Sequence, residues 1–469
     1  MQNHHLLRIL LFIAITSNTI LLPAQKLNYK DYRFPEVKYK ALQLYEEFDL
    51  RNNLSQTNRP TRFNNNFSLS QDIYENRGNF QHSAYRNLAS NISLHPTNNI
   101  YNNSINGEDK FRKYNAKNNF FEYGYQANLS HNQRTKINVT NSLNFRARVP
   151  LKIGKGRIDV LNEVMRGEYI LDDLKQSGII SDSIGQEVIF RFAQEIAKFQ
   201  YTRILDSRNY RLQVIKNLSF FLKNNFQVKK DSDIELATIL MDNYLSAITG
   251  FRTNGSRLSF GISPEVYHSK TFNNIDNSTV YYGGDVMAEY TIQRPISRFL
   301  QSNFYTLANF GLSKSNFYLY GIPLSEEIVL NPNVIVGHRL GYFPNSRTSI
   351  NLTALVDWNY YQNLPIFDTS IKYKSYTVNP KLFLDAAYFV NYRIRLFAVG
   401  EVGYFKTFSF DGFTSTQNVD DFIPSPFFNL SDWYIGRTND LFVNSRNNIN
   451  FLDNKVSYLF RGGITFSIY

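Results

Sequence analysis

Cysteine is absent from this chain of 469 residues. Its absence excludes disulfide-stapled small domains, thiol catalysis, thiolate zinc sites and attachment of a lipid through an N-terminal cysteine. Long apolar runs are missing too: past the N-terminus, nothing approaches the ~18 consecutive apolar residues that a membrane-spanning helix needs. Nucleotide-binding loops are lacking, because Gly154-x-Gly156 has neither the third glycine of a dinucleotide fingerprint nor the Gly-Lys-Ser/Thr end of a P-loop. The histidines beyond the N-terminus are His82, His95, His131, His268 and His338, and no two fall at helical ligand spacing. His131 or His338 near Ser130 or Ser346 is the nearest approach to a serine–histidine pair, and nothing around them has the form of a nucleophile motif. The chain is therefore read as non-enzymatic, with no catalytic residue, no metal and no cofactor expected.

What the chain does have is aromatic residues, with 39 Phe and 32 Tyr against 14 Pro and 2 Trp. Hydrophobic residues make up 43 %, yet the mean hydropathy is −0.36. Aromatic richness without apolar runs suits strands with one apolar and one polar side, each weak in a hydropathy scan. The formal net charge is +12. The basic residues are scattered rather than gathered into a recognisable module, which argues against nucleic acid as a partner.

His4, His5 and Arg8 precede the apolar run Ile9–Ile15, and Pro23-Ala24-Gln25 follows a second short run. This reads as an export signal cleaved after Ala24. Beyond it a two-residue period recurs. In Lys136–Val149, Ile137, Val139, Leu143, Phe145, Ala147 and Val149 share one face, interrupted only by Asn141. Val280–Gln293, Ile350–Tyr360 and the segments flanking a turn near Asn391 repeat the pattern. Alternating runs of 11–14 residues exceed the ~5–6 of ordinary soluble strands and match tilted membrane strands. The expectation is 12 to 14 strands, four of them before residue 156, with Thr97–Asn119 and Ser409–Asp440 as long loops.

Between about Gly156 and Gly250 the period changes to 3.6. Ile158, Leu161, Val164, Met165, Tyr169 and Leu171 make one helical face, and three further sets follow up to Ile248. Ser183 with Gln186, and Ser232 with Glu235, have capping-box spacing, and Gly178 and Gly250 stand where helices would stop. Four inserted helices are expected. Arg157, Asp206, Arg208 and Arg211 are candidates for an ion network within them.

The chain closes on Arg461-Gly462-Gly463-Ile464-Thr465-Phe466-Ser467-Ile468-Tyr469. Arg461, Gly463, Phe466 and Ile468 fill the slots polar-x-Gly-x-x-aromatic-x-apolar, with Tyr469 one residue beyond. This spacing resembles the C-terminal assembly signal of Gram-negative outer-membrane β-barrel proteins. The stretch Gly154-Lys155-Gly156-Arg157-Ile158, with Tyr169–Leu174 after it, is similar to a glycine–arginine helix entry in poorly characterised exported barrels, and brings no activity with it. The resemblance implies an all-β transmembrane antiparallel barrel in the outer membrane of a Gram-negative bacterium, porin-like and carrying an α-helical insertion. Its implied partners are outer-membrane lipid and lipopolysaccharide, the barrel-assembly machinery and a periplasmic protein.

The division expected is residues 1–24 as signal, 25–60 as a periplasmic N-terminal segment, 61–155 as the first strands, 156–250 as the helical insertion and 251–469 as the remaining strands. Arg146, Arg148, Arg393 and Arg395 are expected to line the lumen with Glu289, Asp357 and Glu401, either as a basic pore wall or as charge pairs that cancel across it. Two functions stand open. One is a channel or transporter with the helices as plug or gate. The other is an interaction protein of an export or envelope-assembly complex, whose helices dock a periplasmic partner. A soluble exported β protein is the third possibility.

Overall fold

The computed structural model describes residues 28–51, 62–95, 98–135, 139–180, 184–200, 207–229, 232–245, 252–272, 276–365, 374–390, 394–410 and 455–466. The expected signal segment lies outside them. Fifteen strands form one antiparallel sheet. In chain order they are β1 (Val37–Arg51), β2 (Arg62–Arg77), β3 (Phe80–His95), β4 (Asn98–Tyr114), β5 (Asn119–Thr135), β6 (Thr140–Arg148), β7 (Leu151–Val160), β8 (Thr253–Phe272), β9 (Asn277–Pro295), β10 (Leu300–Leu319), β11 (Ile322–Asn345), β12 (Thr348–Pro365), β13 (Lys374–Phe389), β14 (Ile394–Phe410) and β15 (Lys455–Phe466).

β6 and β7 occupy a single position between β5 and β8. They are separated at Val149-Pro150, because proline has no N–H to give to the ladder. The ladder nevertheless runs on: Val149 N–H donates to Pro264 O at 3.0 Å, and Gly124 N–H donates to Pro150 O at 3.2 Å. The fold is an all-β antiparallel barrel of 14 strand positions with an inserted helical unit.

The two faces of the sheet differ in chemistry. Leu44, Leu69, Leu88, Ile105, Leu129 and Phe145 stand in register across β1 to β6 on the outward face. Leu340, Leu352 and Leu384 do the same across β11 to β13. The opposite face carries Glu122, Lys152, Glu289, Asn303, Asn333 and Asn351, all buried. Alternation along each strand produces this division.

The ends of the barrel also differ. At one end the connections are short: 78–79, 115–118, 296–299, 346–347 and 390–393. At the other lie the longer 52–61, 366–373 and 411–454 together with the short 96–97, 136–139, 273–276 and 320–321. The helical unit leaves from Val160 and returns at Thr253, at the short-turn end. Leu161 N–H donates to Arg252 O at 2.7 Å and closes the neck.

Two segments differ from the sequence reading. The region expected to be a long loop at 97–119 is β4, and the expected N-terminal segment 25–60 contains β1. Neither has an apolar set confined to one face: β4 places Asp109 and Gly107 between Phe111 and Ile105 on its outward side. Six strand positions therefore precede the insertion rather than four, and the apparent long loop near residue 100 disappears. The expected loop at 409–440 lies outside the described residues beyond Phe410.

The helices are α1 (Asn162–Gln176), α2 (Gln186–Gln200), α3 (Ser207–Asn225) and α4 (Asp233–Leu245). They bury Leu161, Ile170, Leu174, Phe192, Ile196, Leu218, Leu222, Leu236 and Leu240 in one core. Tyr29, Tyr32 and Phe34, which precede β1, complete it. Gly178 ends α1 at φ +69°; Ile179 N–H donates to Leu174 O and Gly178 N–H to Lys175 O, both at 3.0 Å. A left-handed glycine that satisfies the last carbonyls in this way stops a helix. The capping boxes do not form. Ser232 Oγ donates back to Lys229 O at 2.7 Å, and Gln186 uses its side chain to accept from Asn28 N–H at 2.9 Å. Ser183 and Gly250 lie outside the described residues.

Candidate functional site

Inward-facing side chains of β4, β5, β7, β8 and β9 join into a charged ladder. Arg112 pairs with Glu122, and Lys152 Nζ reaches Glu122 Oε1 at 3.4 Å and Glu289 Oε2 at 3.0 Å. Arg257 Nη2 closes the row on Glu289 Oε1 at 2.7 Å. Three cations face two carboxylates, so each carboxylate lies between two positive groups. Such burial is tolerable only because every charge is paired and hydrogen-bonded. Beside this row Arg146 Nε donates to Glu265 Oε1 at 2.6 Å. Arg148 Nε donates to Ser263 Oγ at 2.6 Å, and its Nη2 pairs with Asp285.

Across the barrel the inward groups are mostly amides. Asn333 Nδ2 and Asn359 Nδ2 donate to Asp357 Oδ1 at 2.8 and 2.9 Å. Arg339 Nη2 pairs with Asp385 Oδ2 at 3.5 Å, and Lys381 Nζ with Glu401 Oε1 at 3.8 Å.

Arg146, Arg148, Glu289, Asp357 and Glu401 thus all stand on the inward face. Their pairing runs along the wall rather than across the lumen: Arg146 of β6 pairs with Glu265 of adjacent β8, and Arg148 of β6 reaches over β8 to Asp285 of β9. Arg393 and the side chain of Arg395 lie outside the described residues. The sequence reading missed Arg112, Glu122, Lys152 and Arg257. Register alone identifies them, since each is the cross-strand neighbour of a charged or small inward residue.

The helical unit meets the barrel at its short-turn rim. Asp172 of α1 pairs with Arg298 in the β9–β10 turn. Asp242 of α4 pairs with Arg347 in the β11–β12 turn at 3.1 Å. Tyr169 OH donates to Phe343 O at 2.7 Å. Arg252 donates to the carbonyls of Ser297 and Arg298, both at 2.8 Å, and lies over the Phe343 ring.

On the far side of the rim Asn76 Nδ2 donates to Phe34 O and Pro35 O, at 3.2 and 3.1 Å. Arg157 belongs here, and this corrects its expected place in a helical network. It is a β7 residue that donates to Asp159 Oδ1, Asn76 Oδ1 and Gly78 O at 3.0, 2.9 and 2.6 Å. Gly156 precedes it at φ +104°, where a Cβ would collide with Ser256 O. The glycine–arginine stretch is therefore a strand, and the helix starts only at Asn162. Asp206 and the side chains of Arg208 and Arg211 lie outside the described residues.

Glu168 of α1 sits at the same junction. Tyr29 OH donates to its Oε2 at 2.8 Å. Burial pushes the Glu168 carboxyl up to about 7, against the opposing charges of Arg298 and Arg252. Burial and the facing Glu168 charge likewise raise the Tyr29 hydroxyl.

Two of the histidines bond partners other than those the sequence suggested. His131 Nε2 bonds Asn141 Oδ1 at 2.8 Å, which gives the outward interruption at Asn141 a partner. His338 Nε2 bonds Ser302 Oγ at 3.0 Å, so neither Ser130 nor Ser346 is the contact expected. In the terminal strand Arg461, Gly463 and Phe466 belong to β15, and Phe466 registers opposite Ile394. Ile468 and Tyr469 lie outside the described residues.

No protein-family model matches the chain, and no curated protein does. Among solved structures it is similar to OmpTdeltaL8, a loop L8 deletion mutant of OmpT, an outer membrane protein of Vibrio cholerae. The identity is 9 %, the TM-score is 0.22, and the match covers 80 % of this chain and 93 % of that one. A likeness that slight carries no argument, so the fold and the site rest on the chain's own geometry.

Proposed function

We propose that the chain is an outer-membrane channel whose helical unit gates the periplasmic mouth. The outward apolar face on strands of 16 to 24 residues, from β8 to β14, supports the membrane setting. Apart from the helical unit, the longest connections, 52–61, 366–373 and 411–454, share one end, which supports a periplasmic placement of the other. The observation that carries the reading is the seat of the helical unit. It touches the rim on opposite sides, at the β2–β3 turn through the segment before β1 and at the β9–β10 and β11–β12 turns through α1 and α4. The lumen beneath is polar. Polar contacts at the rim can open without unfolding the dry core of the unit.

Planar-bilayer conductance tests this. The full chain should conduct weakly, and a chain lacking residues 162–245 several times better. Arg298→Ala with Arg347→Ala should fall between them. No conductance in any form sinks the channel. A second reading has its own observation: Leu212, Phe220 and Ile234 are exposed on α3 and α4. They suit a barrel-anchored protein docking a periplasmic partner. Silence in the bilayer, with an envelope defect on Phe220→Asp, would favour it.

A further inference from the structure

The outward face of the barrel is not uniform. On β9, β12 and β13 every outward position within Val280–Ile292, Ile350–Tyr360 and Val378–Tyr388 is uncharged. On β2 to β5 the corresponding face holds a polar row. Asp109 is 1 % exposed there, yet it stands on the outward side, in register with Ala84. His82 Nε2 lies 2.9 Å from its Oδ1, and Arg86 Nη2 donates to its Oδ2 at 3.0 Å. Tyr125 also hydrogen-bonds it. Arg86 Nη1 extends the row to Gln71 Oε1 at 3.3 Å and remains 49 % exposed.

An aromatic row runs along the rim side of these groups. His82 stacks on Phe111 at 4.3 Å, Phe111 on Tyr123 at 5.2 Å, and Tyr123 on Phe121 at 5.8 Å. Aromatic girdles mark the membrane–water boundary. Asp109 is two residues further from the rim than Phe111, and Arg86 four further than His82. The ion pair therefore lies on the hydrocarbon side of the girdle, beyond the headgroups. Above it on β3 and β4 the apolar belt is one residue deep, at Leu88 and Ile105. Ser90 Oγ then donates to Asn103 Oδ1 at 2.8 Å, again outward.

Lipid tails offer no hydrogen-bond partners, and an outward charge near the membrane centre costs about 2–4 kcal/mol. Ionisable groups at such depth are placed where protein covers them. We propose that the arc β2–β4 is an interface with a second copy of this chain. Charge balance selects that occupant. Arg86 and Asp109 cancel, and Gln71, Ser90 and Asn103 each donate and accept. A row of this kind complements itself when a two-fold axis brings it against its own image. This inference rests on the membrane setting of the barrel, not on conductance or gating.

The natural absence of cysteine supplies the test. Leu88→Cys and Ile105→Cys, made singly, are treated with a short bismaleimide in isolated membranes. A product of twice the monomer mass is expected from both, and none above background from Leu352→Cys or Leu384→Cys on the opposite arc. Adding Arg86→Leu and Asp109→Leu to Leu88→Cys should lower the product at least about tenfold. Gln71→Leu, a milder change, should lower it less. Heat-modifiable mobility reports whether each variant is folded. Folded, membrane-inserted protein that stays monomeric at both positions overturns the proposal. So does equal cross-linking on the opposite arc, or an adduct of another mass. Protein that does not partition to the membrane sinks the membrane setting and this proposal together.

Discussion

The helical unit and the barrel solve opposite problems with the same residue types. In the unit, Leu174, Phe192, Ile196 and Leu218 are fully buried and, of the charges on α1, only Glu163 and Arg166 are buried with them. In the barrel, Leu88, Leu352 and Phe460 are exposed while Glu122, Lys152 and Glu289 are buried. One region keeps its apolar side chains inside, as water outside requires, and the other turns them outward, as the proposed membrane setting requires. The difference shows in how each buries polar atoms. The unit needs few polar partners because its helices satisfy their own backbone. The barrel interior needs a paired row, Arg112–Glu122–Lys152–Glu289–Arg257, because an unmatched charge there would cost several kcal/mol.

The largest expected effect comes from breaking the dry core. Phe192 stacks on Phe221 at 5.4 Å with no exposure. Phe192→Ala should destabilise the unit by ~3–5 kcal/mol. Helical ellipticity should then melt at lower urea while heat-modifiable mobility of the barrel persists. Simultaneous loss of both signals would mean that the two regions fold as one.

Outward Leu352→Arg sharpens the comparison from the other side. In lipid vesicles it should cost about 2–4 kcal/mol, whereas arginine at exposed Leu212 of α3 should cost almost nothing. Equal effects at both sites would remove the basis for two solvents.

Glu168 gives a smaller, pH-dependent test. Its carboxyl is raised in the docked state, so docking favours the protonated form. Docking should be tightest below the ordinary glutamate value of about 4.3 and weaken as pH rises through about 7, by on the order of 3 kcal/mol. Glu168→Gln should flatten the profile. Protease nicking of the segment before β1, followed against pH, reads this directly; nicking that is unchanged between pH 5 and 8 would contradict it. The smallest change is expected for Arg347→Ala. Its pair with Asp242 is partly exposed, and its loss should cost about 0.2–1 kcal/mol of stability, read as a small fall in the thermal midpoint of the unit.

The sequence exposed the fold unevenly. Strands with one apolar face, such as β9 and β12, are legible because an apolar outward face opposite a polar inward one enforces a period of two. β4 is not, since Asn103, Gly107 and Asp109 occupy its outward side; the features that hid it from sequence are those that set the β2–β4 arc apart. Lumen pairs were half legible. Arg148 and Glu289 stand out as charges on a polar face, but Lys152 and Arg112 acquire meaning only from the strands beside them.

By itself the sequence determined where the faces of strands such as β9 and β12 point and that four helices lie within 156–250. Side-chain periodicity is a local property, set by backbone geometry and by the solvent each face must meet. Only the tertiary structure decided that six strand positions precede the insertion, that Arg157 serves the rim rather than the helices, and that Asp109 lies outward among His82, Arg86 and Tyr125. Those outcomes depend on register between strands distant in sequence, and no window along one strand contains its neighbours.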